Sequence, residues 1–590
     1  EVRGRLAAAY GFVDGLKPKG DAAEASRMQR LVDETAQLGV SEGDLHCTIA
    51  ETFDLLRKYP QAAAHYAIAL VKSPDLIGPR GQLGLIYMRL GQEAEAKQLL
   101  EESFEIDPFN VRVKNTLEVL DVLEGYAVLE TEHFVIKFDR GQDQMLAEYA
   151  ARYLEEEVYP DIVAQLGYRP QGKSLFEIFS RAKNTSGHGW FSARMVGLPY
   201  VGTVGACAGQ MVAMVSPSDT PQPFNWERVL RHEFVHVVNL QQTGFNIPHW
   251  FTEALAVRSE GHPRPPDWTE LLAKRHAADT LFTLDDINHG FFRPGAGDDW
   301  TLAYCQAEVY AEYMAKQYGE DSLAKMLAAY ADNLPTAQAI ERALGVSQAE
   351  LETGCRAYIA ELTKGLPAAE AASPRPLPEL QAWVESHADD AAAQAELAYT
   401  LLKRKDKAAA RKHALAALAV DPQQGLAAYV MAQLLLSIGD AAGAAKTLAE
   451  SFDEAAPDER HLALLAALYA RAGDAARAEE LLQLGQRRFP HGDVWLKRLA
   501  AHYLKSGDDA RLAPILEQLC GLDTENAAYR QKLALISLAA EDYAAAQQWA
   551  MKALAINLRD AEMHATRATA LARLERHRDA VQEFDYALNL

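Results

Sequence analysis

The chain has 590 residues, which at about 150 residues per domain means roughly four domain-sized units and excludes a lone small binding module. Its 59 Lys+Arg against 82 Asp+Glu leave a net charge of −23, so nucleic acid and anionic membrane surfaces are poor partners. Apolar residues at 49% and charged residues at 24% exclude disordered and fibrous classes and allow substantial cores.

The five cysteines, Cys47, Cys207, Cys305, Cys355 and Cys520, are scattered and form no CxxC pair. Neither a disulfide framework nor a thiolate zinc site is expected, and the pattern leans to a reducing, cytoplasmic setting. A start at Glu1 without Met or an apolar leader is also compatible with a removed secretion signal. The longest apolar stretch, Val201 to Pro217, is broken by glycines, Thr203 and Gln210, so no membrane span is expected.

At the start of the chain small residues recur at a fixed step. Ala50 and Gly84, Ala62 and Ala96, and Pro74 and Pro108 are each 34 residues apart. A helical pattern over residues 111 to 125 continues this array.

Beyond residue 125 the step vanishes and period-2 patterns appear. Phe134, Ile136 and Phe138 alternate with more polar neighbours, as in a half-buried strand, and Leu175 to Phe179 and Met211 to Val215 read as two more. A helix is expected from about Gln144 to Leu166, stopped by Gly167 with Pro170 just beyond. This middle segment is therefore α+β in character.

Within it lies Arg231-His232-Glu233-Phe234-Val235-His236, on a helix whose pattern begins near Asn225, a good N-cap residue. His232 and His236 are one turn apart on one helix face, so both imidazoles can reach a single Zn²⁺ at ~2.0–2.1 Å. Glu233 then lies beside the metal and can accept a proton from its water. A catalytic zinc takes a third protein ligand and leaves a position open. The candidate is Glu253, in Pro248-His249-Trp250-Phe251-Thr252-Glu253-Ala254, because Gly244 ends the first helix and Pro248 suits the start of an antiparallel second one. Glu260 is the runner-up ligand. A third-histidine pattern fails, since it would need Gly at Asn239 and His at Gln242. His188, in a Gly-rich loop, reads as a solvated loop residue rather than a site residue, His249, His262 and His289 stay ambiguous between the two, and Tyr310 and Tyr313 read as core.

The pairing His-Glu-Phe-Val-His … Pro-His-Trp-Phe-Thr-Glu-Ala-Leu-Ala resembles the two zinc-binding helices of the gluzincin metallopeptidases, in particular peptidase MA-like domains fused to tetratricopeptide repeats. The resemblance implies one Zn²⁺ per chain held by His232, His236 and Glu253, with Glu233 as general base. It extends to Leu302-Ala303-Tyr304-Cys305 onwards, where the matching aminopeptidase helix carries an oxyanion-stabilising tyrosine. That implies a catalytic role for Tyr304. The aminopeptidases also carry a Gly-x-Met-Glu-Asn strand whose glutamate binds the substrate amine, whereas here the segment reads Gly205-Ala206-Cys207-Ala208-Gly209. An endopeptidase is expected rather than an aminopeptidase, with Cys207 to Val215 as the edge strand on which an extended peptide adds hydrogen bonds.

After a Pro- and Ala-rich stretch from Leu366 to Leu377, the 34-residue step returns in Ala398, Ala432, Ala466, Ala500, Ala534 and Ala568. A second series, Ala410, Ala444, Ala478, Ala546 and Ala580, keeps the step with Leu512 as its exception. Small residues at these two positions resemble the tetratricopeptide repeat, in which paired helices pack closely. The chain ends inside the second helix of its last repeat, which reads as an array continuing past Leu590.

The expected fold is multidomain, with all-α tetratricopeptide solenoids flanking an α+β zincin-like metallopeptidase domain. Its parts are residues 1–125, N-terminal repeats; 126–365, the gluzincin-like domain; 366–390, linker and leading helix; and 391–590, six repeats with the last incomplete. The expected function is zinc-dependent hydrolysis of a peptide or protein substrate, with the arrays recruiting substrate or protein partners. The rival is an inactive or latent peptidase-like domain in an adaptor protein.

Overall fold

A computed structural model describes residues 1–15, 27–198, 200, 202–364, 366 and 375–590. The chain divides into two compact units. One comprises Glu1–His262, Asp279–Leu362 and Tyr543–Leu590, and the other Pro263–Ala278 and Thr363–Asp542.

Within each unit the repeats are antiparallel helix pairs of tetratricopeptide type. In the first, Glu42–Leu55 pairs with Tyr59–Lys72 and Gly78–Arg89 with Glu93–Ile106. In the second, pairs run from Ala391–Lys403 with Lys407–Val420 to Val494–Ser506 with Asp509–Leu522. The small-residue series is the reason the helices meet. Ala50, Ala62, Ala96, Ala398, Ala410, Ala432 and Ala444 are fully buried, and a Cβ added at Gly84 would lie 2.7 Å from Leu100 Cγ. Most of the linker expected after Leu366 lies outside the described residues; the helix Leu377–Ser386 follows it.

The first unit also holds the α+β part, a five-stranded sheet ordered β1-β2-β3-β5-β4. The strands are β1 (Ala127–Glu130), β2 (Phe134–Phe138), β3 (Ser174–Phe179), β4 (Gly205–Cys207) and β5 (Met211–Val215). β2, β3 and β5 are parallel, and β1 and β4 are antiparallel edges. β5 is buried throughout, the apolar run expected of an interior strand. The stretch read as one edge strand, Cys207 to Val215, is thus two: the turn at Gly209 (φ 91°) folds β4 back along β5, and β4 alone is the edge. The helix expected from Gln144 to Leu166 is broken by a π turn. It runs Arg140–Tyr153, Leu154–Val158, Tyr159–Leu166 and ends at left-handed Gly167 as expected.

The N-terminal array is built into this sheet. The helix Val111–Leu123 buries Val119, Val122 and Leu123 against Phe179, Met211 and Val215. A charged chain crosses the same junction: Lys137 Nζ donates to Glu93 at 2.7 Å, and Arg194 Nε to Glu177 at 2.7 Å with both side chains essentially inaccessible. The last repeat, Ala561–Arg573 with His577–Asn589, belongs to the same unit, as does the helix Tyr543–Leu554 packed against it. The Trp226 N–H donates to the Ala555 carbonyl (3.0 Å) and its indole N–H to the Leu554 carbonyl (3.1 Å). Among the described residues no helix is long and apolar enough to cross a membrane.

Candidate metal centre

The helix Trp226–Gln242 begins at Asn225, whose side chain accepts from the Arg228 N–H at 3.0 Å. Val235, Val237, Val238 and Phe234 are fully buried, and Phe234 meets Phe134 edge to face at 5.3 Å. The apolar face of the helix is thereby fixed to the sheet, leaving His232 and His236 aimed the other way. Gly244 and Phe245 both take left-handed backbone (φ 54° and 64°) and reverse the chain, and Pro248 then caps the helix His249–Ser259. Packing of this second helix on the first brings Glu253 to the histidines.

His232 Nε2 and His236 Nε2 are 3.2 Å apart, and Glu253 Oε2 lies 3.4 Å and 3.6 Å from them. A tetrahedron with ~2.0–2.1 Å metal bonds has ligand–ligand edges of about 3.3 Å. The outer ring nitrogens are fixed by other partners. Thr252 Oγ1 donates to Asn239 Oδ1 (2.9 Å) and must therefore accept from the His236 Nδ1–H (2.7 Å). His232 Nδ1 meets the Glu260 carboxylate at 2.8 Å, which can only accept. Both Nε2 atoms then present lone pairs to one point, and Glu253 Oε2 is buried there with no hydrogen-bond partner. Two facing lone pairs beside an orphaned carboxylate oxygen are costly unless a cation lies between them. The donor set fits a bound divalent metal.

The electrostatics agree. Burial alone would lower the His232 pKa, yet the carboxylates of Glu253 and Glu260 hold it well above the ordinary value. Burial would likewise raise Glu253, but His236 and His232 hold it well below the usual carboxylate range. The field that attracts a proton to His232 is one a cation would satisfy. Glu260, read as the runner-up ligand, instead orients His232 and is itself held by Arg228 Nη1 at 3.2 Å.

Glu233 is 6% exposed and burial raises its pKa, with His232 and His236 opposing. It lies under β4: a Cβ at Gly205 would sit 2.6 Å from Val229 Cγ1 and 3.0 Å from Glu233 Oε1. Gly205→Ala should therefore cost ~1–3 kcal/mol in stability, because neither the strand nor the helix can withdraw without repacking. Chemical denaturation checks this, and an unchanged midpoint would mean that β4 is free to lift.

Tyr304 stands on the helix Asp299–Tyr318, between Phe291 (4.9 Å between ring centres) and Trp300 (4.5 Å). Burial and the carboxylates of Glu253 and Glu233 raise its pKa, so its hydroxyl remains a donor at neutral pH. His249, ambiguous in the sequence between a structural and a site residue, has its Nε2 3.4 Å from Glu253 Oε1. Burial pushes its pKa down to about 4. Its position four residues before Glu253 on the expected helix was the available signal. His188 packs on Phe191 and Tyr200, His289 is exposed beside Asp286, and Tyr310 is buried against Trp250. A second His/Glu group, Glu132, His133 and Glu155, is already engaged: Glu155 accepts from the His133 amide at 3.3 Å, and the His133 ring stacks on Tyr159 at 3.6 Å.

Residues 205–361, from β4 through the helix Gln348–Leu362, match the Peptidase MA superfamily. No curated protein matches the chain in sequence. Among solved structures, a MamA crystal form from MSR-1 is similar at 18% identity over 28% of this chain and 95% of its own, with a TM-score of 0.24. MamA from Desulfovibrio magneticus RS-1 is similar at 20% identity, covering 28% and 92% with a TM-score of 0.23. PilF of Pseudomonas aeruginosa is similar at 15% identity, covering 33% and 88% with a TM-score of 0.24.

Proposed function

We propose that the peptidase MA-like domain is a zinc-dependent endopeptidase, with His232, His236 and Glu253 holding one Zn²⁺ per chain and Glu233 acting as general base. The observation that supports this reading best is the pair of Nε2 atoms facing each other at 3.2 Å beside the unpartnered Glu253 Oε2. Zn²⁺ at such a site supplies Lewis acidity, which lowers the pKa of a coordinated water to ~7.

The chain's own residues do the rest. The Glu233 carboxylate takes a proton from the water that attacks the scissile carbonyl and delivers it to the departing amine nitrogen. The Tyr304 hydroxyl donates to the oxygen on which negative charge develops. Glu260 and Thr252 keep each imidazole in the tautomer that leaves Nε2 free. β4 carries no carboxylate to hold a substrate's free amine, and as an edge strand it can pair with an extended peptide. That combination favours internal peptide bonds. The repeats recruit substrate or partner proteins.

The test is zinc content and cleavage of a peptide library by the full chain, with and without a chelator. About one equivalent of zinc and chelator-sensitive cleavage are expected; a chain that takes up no zinc would sink the proposal. Glu260→Gln should weaken zinc binding by ~10–100-fold, because the amide neither charges nor orients His232 as the carboxylate does. Competition with a chromogenic chelator measures this, and an unchanged affinity would remove Glu260 from the centre.

A further inference from the structure

We infer that Arg57, a residue of the N-terminal repeats, forms an anion-binding subsite at the rim of the metal centre, and that the centre selects acidic peptides. The inference rests on the peptidase reading above and names its substrate class. Contacts lead outward from the third candidate ligand in short steps. His249 Nε2 lies 3.4 Å from Glu253 Oε1, the Phe292 ring lies 4.7 Å from the His249 ring, and the Arg57 guanidinium sits 4.9 Å from the centre of Phe292.

Arg57 is exposed and, among the described residues, forms no ion pair. In a chain of net charge −23, a cation left without a carboxylate beside the candidate centre is available to one brought by a ligand. Its placement is fixed. The Arg57 backbone takes the left-handed turn of its repeat (φ 58°), with its N–H donating to the Asp54 carbonyl at 2.9 Å. The next residue, Lys58, donates to the Gly244 carbonyl at 3.0 Å and to Asn246, in the turn joining the two donor helices. Arg57 is thus tied to the backbone that positions His236 and Glu253.

The wall between Arg57 and the donors is aromatic. Phe291 and Phe292 flank His249, and Phe291 and Trp300 flank Tyr304. Phe292 and Trp300 remain 50% and 48% exposed, so each leaves apolar ring surface to a ligand. The two ring steps place Arg57 within about 10 Å of His249, the span of two to three extended residues at ~3.3 Å each. The favoured ligand is a peptide with an Asp or Glu within two or three residues of a large apolar residue that packs on this wall.

The test measures binding as well as cleavage. Fluorescent hexapeptides carrying one Phe, with Glu or Lys scanned one to three residues to either side, are titrated by anisotropy into the full chain bearing Glu233→Gln. At low salt the best Glu peptide is expected to bind at least 10-fold more tightly than its Lys counterpart. Arg57→Gln should abolish that preference and Arg57→Glu invert it. Equal binding of both peptides, or a preference that survives both variants whose melting curves match the parent, overturns the subsite. The same peptides offered to the wild type separate the two readings. Binding preference without cleavage upholds the subsite and defeats the peptidase reading, whereas cleavage indifferent to Glu or Lys does the reverse.

Discussion

Glu233→Gln is expected to lower peptide hydrolysis by about 10²–10⁴-fold, the contribution of a positioned proton-transfer group, while zinc content stays near that of the wild type. The substitution keeps the side chain's shape under β4 and removes its ability to take a proton. Stability should hold or rise slightly, because Glu233 is 6% exposed and its burial disfavours the ionised form, so a neutral amide is the easier group to bury. Three measurements distinguish this from misfolding: zinc by elemental analysis, the thermal melt, and kcat/KM on a library-derived peptide. Loss of activity together with zinc would place Glu233 among groups that hold the metal. Undiminished kcat/KM would remove it from the chemistry.

The convergence of His232, His236 and Glu253 was legible because its signals are local. His232, Glu233 and His236 share one helix, and Gly244 with Pro248 marks the turn that returns Glu253. The contributions of His249 and Arg57 depend on packing between helices distant in the chain, which periodicity does not carry. The repeats were legible from the small-residue step. A second register went unread: Arg57, Gly91, Lys405, Gly439, Gly473, Gly507, Glu541 and Glu575 are the left-handed residues ending the first helix of each pair. Glycine at four of these positions was its signal. β2, β3 and β5 were visible as apolar or alternating runs, while β1 and β4 were missed because each is short and only partly buried. Their strand character comes from pairing along β2 and β5.

Glu583→Ala is expected to destabilise the first unit by about 3–5 kcal/mol, the cost of breaking a buried ion pair on one side only. Glu583 is 1% exposed. It accepts from Tyr149 OH (2.6 Å), from His564 Nδ1 (2.7 Å) and from Arg567, whose guanidinium also donates to Tyr149 OH at 2.8 Å. These groups tie the last repeat to the helix Arg140–Tyr153, and Trp226, at the start of the helix carrying His232 and His236, bonds to the end of the preceding helix Tyr543–Leu554, which packs on that repeat. Removal of the carboxylate leaves Arg567 buried with its charge uncompensated, and Arg567 Nε already has no partner.

The pH dependence has a definite sign. Burial would raise the Glu583 pKa, but His564, Arg567 and Tyr149 together hold it below the ordinary value. A depressed folded pKa adds stability above the unfolded value of about 4.3 that is lost as pH falls through the folded pKa. Urea unfolding followed by tryptophan fluorescence should show an earlier transition for Glu583→Ala at pH 7. The difference from wild type should narrow under acid, and Glu583→Gln should fall between them because it keeps hydrogen bonds without charge. Because the helix Tyr543–Leu554, packed on the last repeat, holds Trp226 at the start of the helix that presents both histidines, Glu583→Ala should also weaken zinc binding without touching a ligand. Coincident urea curves at pH 7 would mean that apolar packing alone holds the last repeat, and zinc affinity should then be unaltered as well.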